Sequence, residues 1–380
     1  MKRMHWLLIA AAVIVVAVVV LTRTGEVDDN TIKIGIAGPI TGAYAKFGEQ
    51  LVRGTTVFVE RINAAGGIQG RKLEIVQGDD ACEAKQARAV ANRMVNEGVY
   101  AVIGHFCSSS TIPASEVYSE NDILMITPAS TNPRVTDRGL PGILRACFRD
   151  DQQGNFAGDY IANELKPKAV AIIHDKDTYG QGLADATRAR LIEKHGIRDV
   201  LYEGITRGDK DFNSLITKMK GLGVDVIYFG GLHTEAALIV RQAREQGLDA
   251  VFMSGDGLVT EEFALLAGTA ADGVLMTFAA DPSRLPEAKA VVEEFRSRGW
   301  EPDGWVLYSY LAAQVVAAAL EGTELSHSGS ELGQYIKTHT IDTIMGPQEW
   351  DEKGDPKAAP LAVYRWEPTG GDSYTYVQLQ

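Results

Sequence analysis

The chain has 380 residues, 45% of them hydrophobic and 23% charged, which is enough apolar side chain for two folded units at roughly 150 residues per domain. Lys+Arg 37 against Asp+Glu 50 leaves a net charge of −13. That sign excludes a nucleic-acid binder relying on phosphate contacts, and three Cys are too few for a disulfide-built scaffold.

Lys2 and Arg3 precede an uncharged apolar run, residues 4–22, which Arg23 closes. A basic start before an apolar core is the pattern of an export signal. At 1.5 Å per residue the run also suffices for a marginal membrane span. A cleaved signal peptide (residues 1–24) and a retained N-terminal anchor both remain open. Either one places the rest of the chain outside the cytoplasm, in the periplasm or at the cell exterior.

From residue 31 onward, strands and helices alternate. Thr31–Pro39 is a β-branched strand ending in a Gly-Pro turn, and Phe47–Asn63 has apolar residues at helical spacing. Strand Lys72–Gln77, helix Ala84–Glu97, strand Tyr100–Gly104, helix Ser108–Glu120 and strand Leu124–Thr127 follow. Asn132–Asp150 is less regular. The rhythm resumes with helix Gly154–Leu165, strand Ala169–His174, helix Gly182–His195, strand Val200–Ile205, helix Phe212–Leu222, strand Val224–Gly230, helix Glu235–Gln246 and strand Val251–Ser254. Gly273–Thr277 is a further strand. Helices are predicted at Leu285–Arg298, Tyr308–Glu321 and Glu331–Thr338, and the tail holds strands Leu361–Trp366 and Ser373–Leu379.

Repeated β-α units imply parallel sheets covered by helices on both faces. Two such sets, divided near residue 150, imply an α/β chain with two doubly wound lobes. Ligands of open parallel sheets sit beyond the C-terminal strand ends. The informative segments are therefore Thr41–Phe47, Asp79–Cys82, His105–Ser110, Ala129–Thr131, Asp175–Tyr179, Gly230–His233 and Ser254–Gly257.

The first strand is followed by Gly38-Pro39-Ile40-Thr41-Gly42, which fits neither dinucleotide nor P-loop spacing. Ser108-Ser109-Ser110 follows His105 without a nucleophile elbow. Hydroxyls and free N–H groups at a helix start suit an anionic group such as a carboxylate. Scattered His and the absence of C-x-x-C give no metal site, and nothing calls for a cofactor. Cys82 and Cys107 both follow neighbouring predicted strands, so in an exported chain they are expected to form a disulfide. Cys147 is left over, as a buried free thiol or a reactive one. Asp175, Asp177 and Asp256 are acids at strand ends. Gly255 and Gly257 flank Asp256, where glycine would let the backbone bend so that the carboxylate faces a cleft and pairs with an ammonium. Tyr44, Phe47, Phe106, Tyr179 and Trp305 are candidate pocket aromatics.

Several long segments, in one order, carry a resemblance: INAAGGIQGRKL (62–73), DDACEAKQA (79–87), VIGHFCSSST (102–111), ILMITPASTNP (123–133), AIIHDKDTYGQGLA (171–184), GDKDFNSLI (208–216) and WDEKGD (350–355). Across Thr31–Thr369 the chain resembles the periplasmic leucine/isoleucine/valine-binding proteins of branched-chain amino-acid ABC transporters. The resemblance implies two Rossmann-like lobes joined by three crossovers, a periplasmic binding protein of type I. Lobe one would be 31–149 plus 280–357, and lobe two 150–279 plus 358–380. It further implies a monomer without catalytic residues that closes on an apolar amino acid and hands it to a membrane permease. The alternative is a sensor subunit of the same fold for another amino acid or a small amide.

Matched position by position, the resemblance gives Ser108, Ala129 and Thr131 the ligand carboxylate and part of its ammonium. It gives Tyr179 the role of closing over the ligand, and Asp256 the pairing with the ammonium. Phe47 and Trp305 would stand near the side-chain pocket, and Cys82–Cys107 would be the family disulfide. Four positions depart from the family pattern. Asp256 stands where glutamate is common, Leu232 and His233 replace an aromatic pair, and Phe47 stands where Trp is frequent.

Overall fold

In the computed structural model, which describes residues 31–371 and 373–379, the first half of the chain lays five strands into one sheet. These are β1 (Thr31–Gly38), β2 (Lys72–Asp79), β3 (Ala101–Gly104), β4 (Leu124–Thr127) and β5 (Ile143–Arg145), ordered β2-β1-β3-β4-β5. Every pairing in it is parallel. β3 and β4 are buried at each position, as strands must be when helices cover both faces. The connecting helices are α1 (Ala45–Ala64), α2 (Ala84–Asn96), α3 (Ser108–Glu120) and the short α4 (Arg134–Asp137). The export-type segment at residues 4–22 lies outside the described residues.

The chain then builds a second sheet. Its units are α5 (Asp150–Tyr160), β6 (Val170–His174), α6 (Thr178–His195), β7 (Leu201–Gly204), α7 (Asn213–Gly221), β8 (Val226–Gly230), α8 (His233–Glu245), β9 (Val251–Ser254), α9 (Glu261–Ala267) and β10 (Leu275–Ala279). After β10 the chain returns to the first lobe with α10 (Lys289–Ser297), α11 (Val306–Gly322) and α12 (Gly329–Thr338). There α11 packs on α1, and α12 on β4. A small hairpin, β11 (Ile341–Thr343) and β12 (Gly346–Gln348), precedes the last crossing. Then β13 (Leu361–Gly370) and β14 (Ser373–Gln378) add two antiparallel strands to the second sheet, giving the order β14-β13-β10-β9-β8-β6-β7. The chain thus passes between the two α/β lobes three times.

One apolar core runs from α1 and α11, beneath the first sheet, into the second lobe. A smaller core, holding Val90, Met94, Val102, Tyr118 and Met125, fills the opposite face of the first sheet under α2 and α3.

Most predicted strands and helices sit within a few residues of where the periodicity put them, and the main differences are these. The region read as irregular contains β5, and α9 and the β11–β12 hairpin were not predicted at all. The helix expected at Gly154 begins at Asp150 and ends in a π turn, Ile161–Leu165. The helix expected from Leu285 starts only at Lys289, after 3-10 turns at Pro282–Arg284 and Pro286–Ala288. Pro286 holds the preceding Leu285 in extended backbone, ψ 138°, so no helix can start there.

Candidate functional site

The C-terminal strand ends of both lobes face each other across one narrow cavity. Phe106, Ser108 and Ala129 line it from the first lobe; Tyr179, Arg207, Leu232 and Asp256 line it from the second. The lobes touch across the cleft, through Asn132 Nδ2 donating to the Thr178 carbonyl at 2.9 Å and Gln50 Nε2 donating to the Val259 carbonyl at 3.0 Å. This is a closed arrangement.

On the first lobe, β3 leads directly into α3. The Cys82–Cys107 disulfide is formed, with Cα atoms 5.4 Å apart, and it ties the start of α3 to the loop after β2. Cys107 caps α3 without a side-chain hydrogen bond, and its carbonyl takes the Ser110 N–H at 2.9 Å, so the Ser108 and Ser109 N–H groups are the ones left for a ligand. Ser108 is buried, and its hydroxyl accepts the Asn132 N–H at 3.4 Å. The Ala129 N–H is already spent on Thr127 Oγ1 at 3.3 Å; its carbonyl is the group it can offer. The Thr131 hydroxyl is buried with no partner among the described residues, while its carbonyl accepts the Asp150 N–H at 2.9 Å. Thr131 does not line the cavity; its hydroxyl lies toward the Asp150 carboxyl and works against the rise that burial imposes on that group.

The loop carrying these groups is fixed from behind by Arg145, fully buried at the end of β5. It donates to the Ser130 carbonyl at 2.8 Å, the Asn132 carbonyl at 2.9 Å and Asp355 Oδ1 at 2.6 Å. Burial works against the Asp355 carboxylate, yet Arg145, Thr136 and Arg149 hold it below its ordinary value. His105, just before the serines, has Nδ1 2.5 Å from Asp80 Oδ2 and Nε2 3.1 Å from the Tyr118 hydroxyl. Both ring nitrogens are engaged away from Ser108, so no base–nucleophile pair forms there.

On the second lobe, Asp177 caps α6 by accepting the Tyr179 N–H. Tyr179 then reaches across to β9. Its hydroxyl donates to Asp256 Oδ1 at 2.9 Å and accepts the Gly257 N–H at 3.0 Å. Burial pushes the Asp256 carboxyl up to about 7, against the pull of the Tyr179 and Gln153 hydrogen bonds. Asp150, at the start of α5, is also buried, and neither carboxylate oxygen has a partner among the described residues. Burial first, and then the Asp256 charge, raise it well above its ordinary value.

The glycines around Asp256 do not act as the sequence reading expected. Gly255 is extended, with φ −100°, and Gly257 is not in the left-handed region. A Cβ on Gly255 would press on the Tyr179 hydroxyl at 3.0 Å, and one on Gly257 would collide with the Gly231 carbonyl. Their role is close approach rather than a bend.

Phe47 and Trp305 are both fully buried and stand one layer behind the cavity. Phe47 stacks on Phe106 at 4.4 Å, and Trp305 meets Phe106 edge-on at 6.3 Å. Phe106 is the aromatic that reaches the cavity. Cys147 is a buried free thiol, its ionisation pushed up by burial. Arg207 was absent from the sequence-based candidates. It follows β7, an edge strand, in a polar loop that reads as solvated surface. Its position after a strand was the one signal available.

Among the described residues no helix is long and apolar enough to cross a membrane, and no cluster of metal-ligating side chains occurs. The family described as periplasmic binding protein matches residues 31–372. An amino acid binding protein of Pseudomonas aeruginosa is 59% identical over 340 residues, covering 89% of this chain and 90% of that one. The Leu/Ile/Val-binding protein homolog 1 of Brucella suis is 46% identical, covering 91% and 93%. Among solved structures, the branched-chain amino acid transporter substrate binding protein LivJ of Streptococcus pneumoniae, in complex with isoleucine, superposes with a TM-score of 0.80. It is 28% identical, covering 92% of this chain and all of that one.

Proposed function

The chain belongs to the periplasmic binding protein family, and on that premise we propose that it captures a branched-chain amino acid outside the cytoplasm and delivers it to an ABC permease. The observation that carries this reading is the polarity of the cleft. One wall offers a helix start with Ser108 and the Ala129 carbonyl; the other offers the Asp256 carboxylate held by Tyr179. That is the complement of a zwitterion. The helix start takes the carboxylate, and Asp256 takes the ammonium as a charge-assisted hydrogen bond. Phe106 and Leu232, backed by Phe47 and Trp305, are left for an apolar side chain.

The work is binding without chemistry. The lobes, 31–149 plus 280–357 and 150–279 plus 358–380, close as hinged bodies, a motion general to such proteins. Closure brings Tyr179 and Asp256 onto a ligand first held by Ser108 and Ala129. Shape alone separates leucine, isoleucine and valine weakly, since one methylene in a pocket is worth about 1–3 kcal/mol. A shared specificity for the three is expected. The protein acts as a monomer, needs no cofactor, and has the permease as its membrane partner.

Isothermal titration calorimetry with leucine, isoleucine and valine tests this. The expected result is dissociation constants below about 10 μM, roughly −7 kcal/mol. Heat signals absent for every amino acid tried would overturn the reading.

A further inference from the structure

The start of α1 is where the first lobe meets the second. Gln50 donates to the Val259 carbonyl, Phe47 stands edge-on to His233 with ring centroids 5.3 Å apart, and Lys46 lies 3.3 Å from Glu261. Tyr44, the residue just before the helix, also crosses. The Arg207 guanidinium stands over its ring, 5.4 Å from the centroid, and the His233 ring meets it edge-on at 6.1 Å. Arg207 and His233 both belong to the second lobe, one after β7 and the other at the head of α8. Tyr44 is not among the residues lining the ligand cavity.

These crossings are unequal. Lys46 and Glu261 are exposed, and such a pair is worth little in water. Arg207 is different. Its Nε donates to Asp175 Oδ2 at 2.8 Å and its Nη1 lies 3.1 Å from Asp177 Oδ2, so its own lobe fixes the guanidinium. Its side chain is only 20% exposed, and cation–π attraction grows as the cation loses water. His233 is buried, and that burial lowers its ionisation to about 4. A neutral ring, rather than a second cation, therefore flanks the tyrosine. Asp177 also accepts the Tyr179 N–H at the start of α6. The clasp on Tyr44 and the tyrosine that closes on the ligand are thus held by one carboxylate.

We propose that Tyr44 is a positioning residue, a latch that holds the lobes closed through Arg207 without touching the ligand, and so sets how long any ligand stays bound. The proposal rests on the amino-acid reading of the cleft given above. Parting the lobes draws Tyr44 away from Arg207 and His233 whatever the cavity contains. A contact made in the closed state alone, and not with the ligand, changes the affinity of every ligand by one factor.

Calorimetry and stopped-flow fluorescence on the full-length protein, with leucine, isoleucine and valine, test this. Tyr44→Leu removes the π face, whereas Tyr44→Phe keeps the face and loses only the hydroxyl. In Tyr44→Leu all three ligands are expected to weaken by one common factor of about 3- to 30-fold, the range such a contact spans. That factor should appear in the dissociation rate, with association within about twofold of the parent. Tyr44→Phe should release each ligand within about twofold of the parental rate. The proposal is overturned if Tyr44→Leu releases ligand at the parental rate, or if its loss lies in the association rate. It is equally overturned if Tyr44→Phe is as impaired as Tyr44→Leu, or if the three ligands weaken by factors more than about fivefold apart, which would mean that Tyr44 meets the ligand. Any of these with a parent that binds amino acids strikes the latch alone. A parent that binds none of the three overturns the proposed function, and the latch with it.

Discussion

Tyr179 and Asp256 form the only side-chain pair, among the described cavity-lining residues, in which one residue's hydroxyl is bonded to the other's carboxylate, at 2.9 Å. The same Tyr179 oxygen takes the Gly257 N–H at 3.0 Å. The tyrosine thus fixes both the carboxylate and the backbone turn that carries it. Its own start is fixed by the Asp177 cap on α6, so a helix and a strand end are locked to one orientation before any ligand arrives.

The first prediction concerns pH. With the cleft closed and empty, Asp256 is pushed up to about 7 by burial, and pairing with an ammonium requires its ionised form. Below about 7, binding must therefore expel a proton. Ligand affinity should rise with pH and level off above that value. The slope should approach about tenfold per pH unit on the acid side. Asp256→Asn should bind weakly and lose the slope. Calorimetry from pH 5 to pH 8 reads both, and a flat profile for the parent protein would show that Asp256 does not meet the ammonium.

The second concerns stability. Asp150 is raised well above its ordinary value in the folded state, first by burial and then by Asp256. Between the unfolded and the folded value, the native protein holds more protons than the unfolded chain. Stability from this group therefore falls as pH rises through that window. Asp150→Asn, which cannot ionise, should be more stable than the parent at pH 8 by about 1–2 kcal/mol, with the gain shrinking toward pH 4. Thermal unfolding at the two pH values checks this. A gain that does not grow with pH would remove the basis for the prediction.

The third concerns the support behind the binding loop. Asp355→Ala would leave Arg145 buried without its carboxylate partner. Breaking a buried pair from one side costs about 3–5 kcal/mol, and the Ser130–Asn132 carbonyls lose a rigid anchor. Urea unfolding should show the destabilisation, and calorimetry should show weaker ligand binding. A loss below about 1 kcal/mol would mean that Arg145 finds other partners.

Much of the fold was legible because parallel strands covered on both faces are continuous apolar runs, such as Val226–Gly230, and helices ended at glycines such as Gly196, whose φ of 67° is left-handed. The misses have physical reasons. β5 is three residues long, too short for any period to register. The antiparallel pairing of β13 with β10 joins segments far apart in sequence, so a linear division near residue 150 could not reveal the return crossings. At the site, Ser108 was readable as a helix start after a strand, and Asp256 as an acid between glycines. Arg207 and Asp150 were not. What distinguishes them is burial among partners from distant segments, which local composition does not encode.

Trp305 gives the closed cleft an optical handle. It is fully buried and lies 4.9 Å from Phe278, a residue of β10 in the opposite lobe. Its position at the head of α11 makes it a lining of the seam rather than of either body alone. Parting the lobes is expected to change the packing of this indole at the seam, and a fluorescence titration with leucine that leaves its emission unmoved would show that the indole keeps its surroundings. The protein can be followed through its working cycle by its own fluorescence, without a dye.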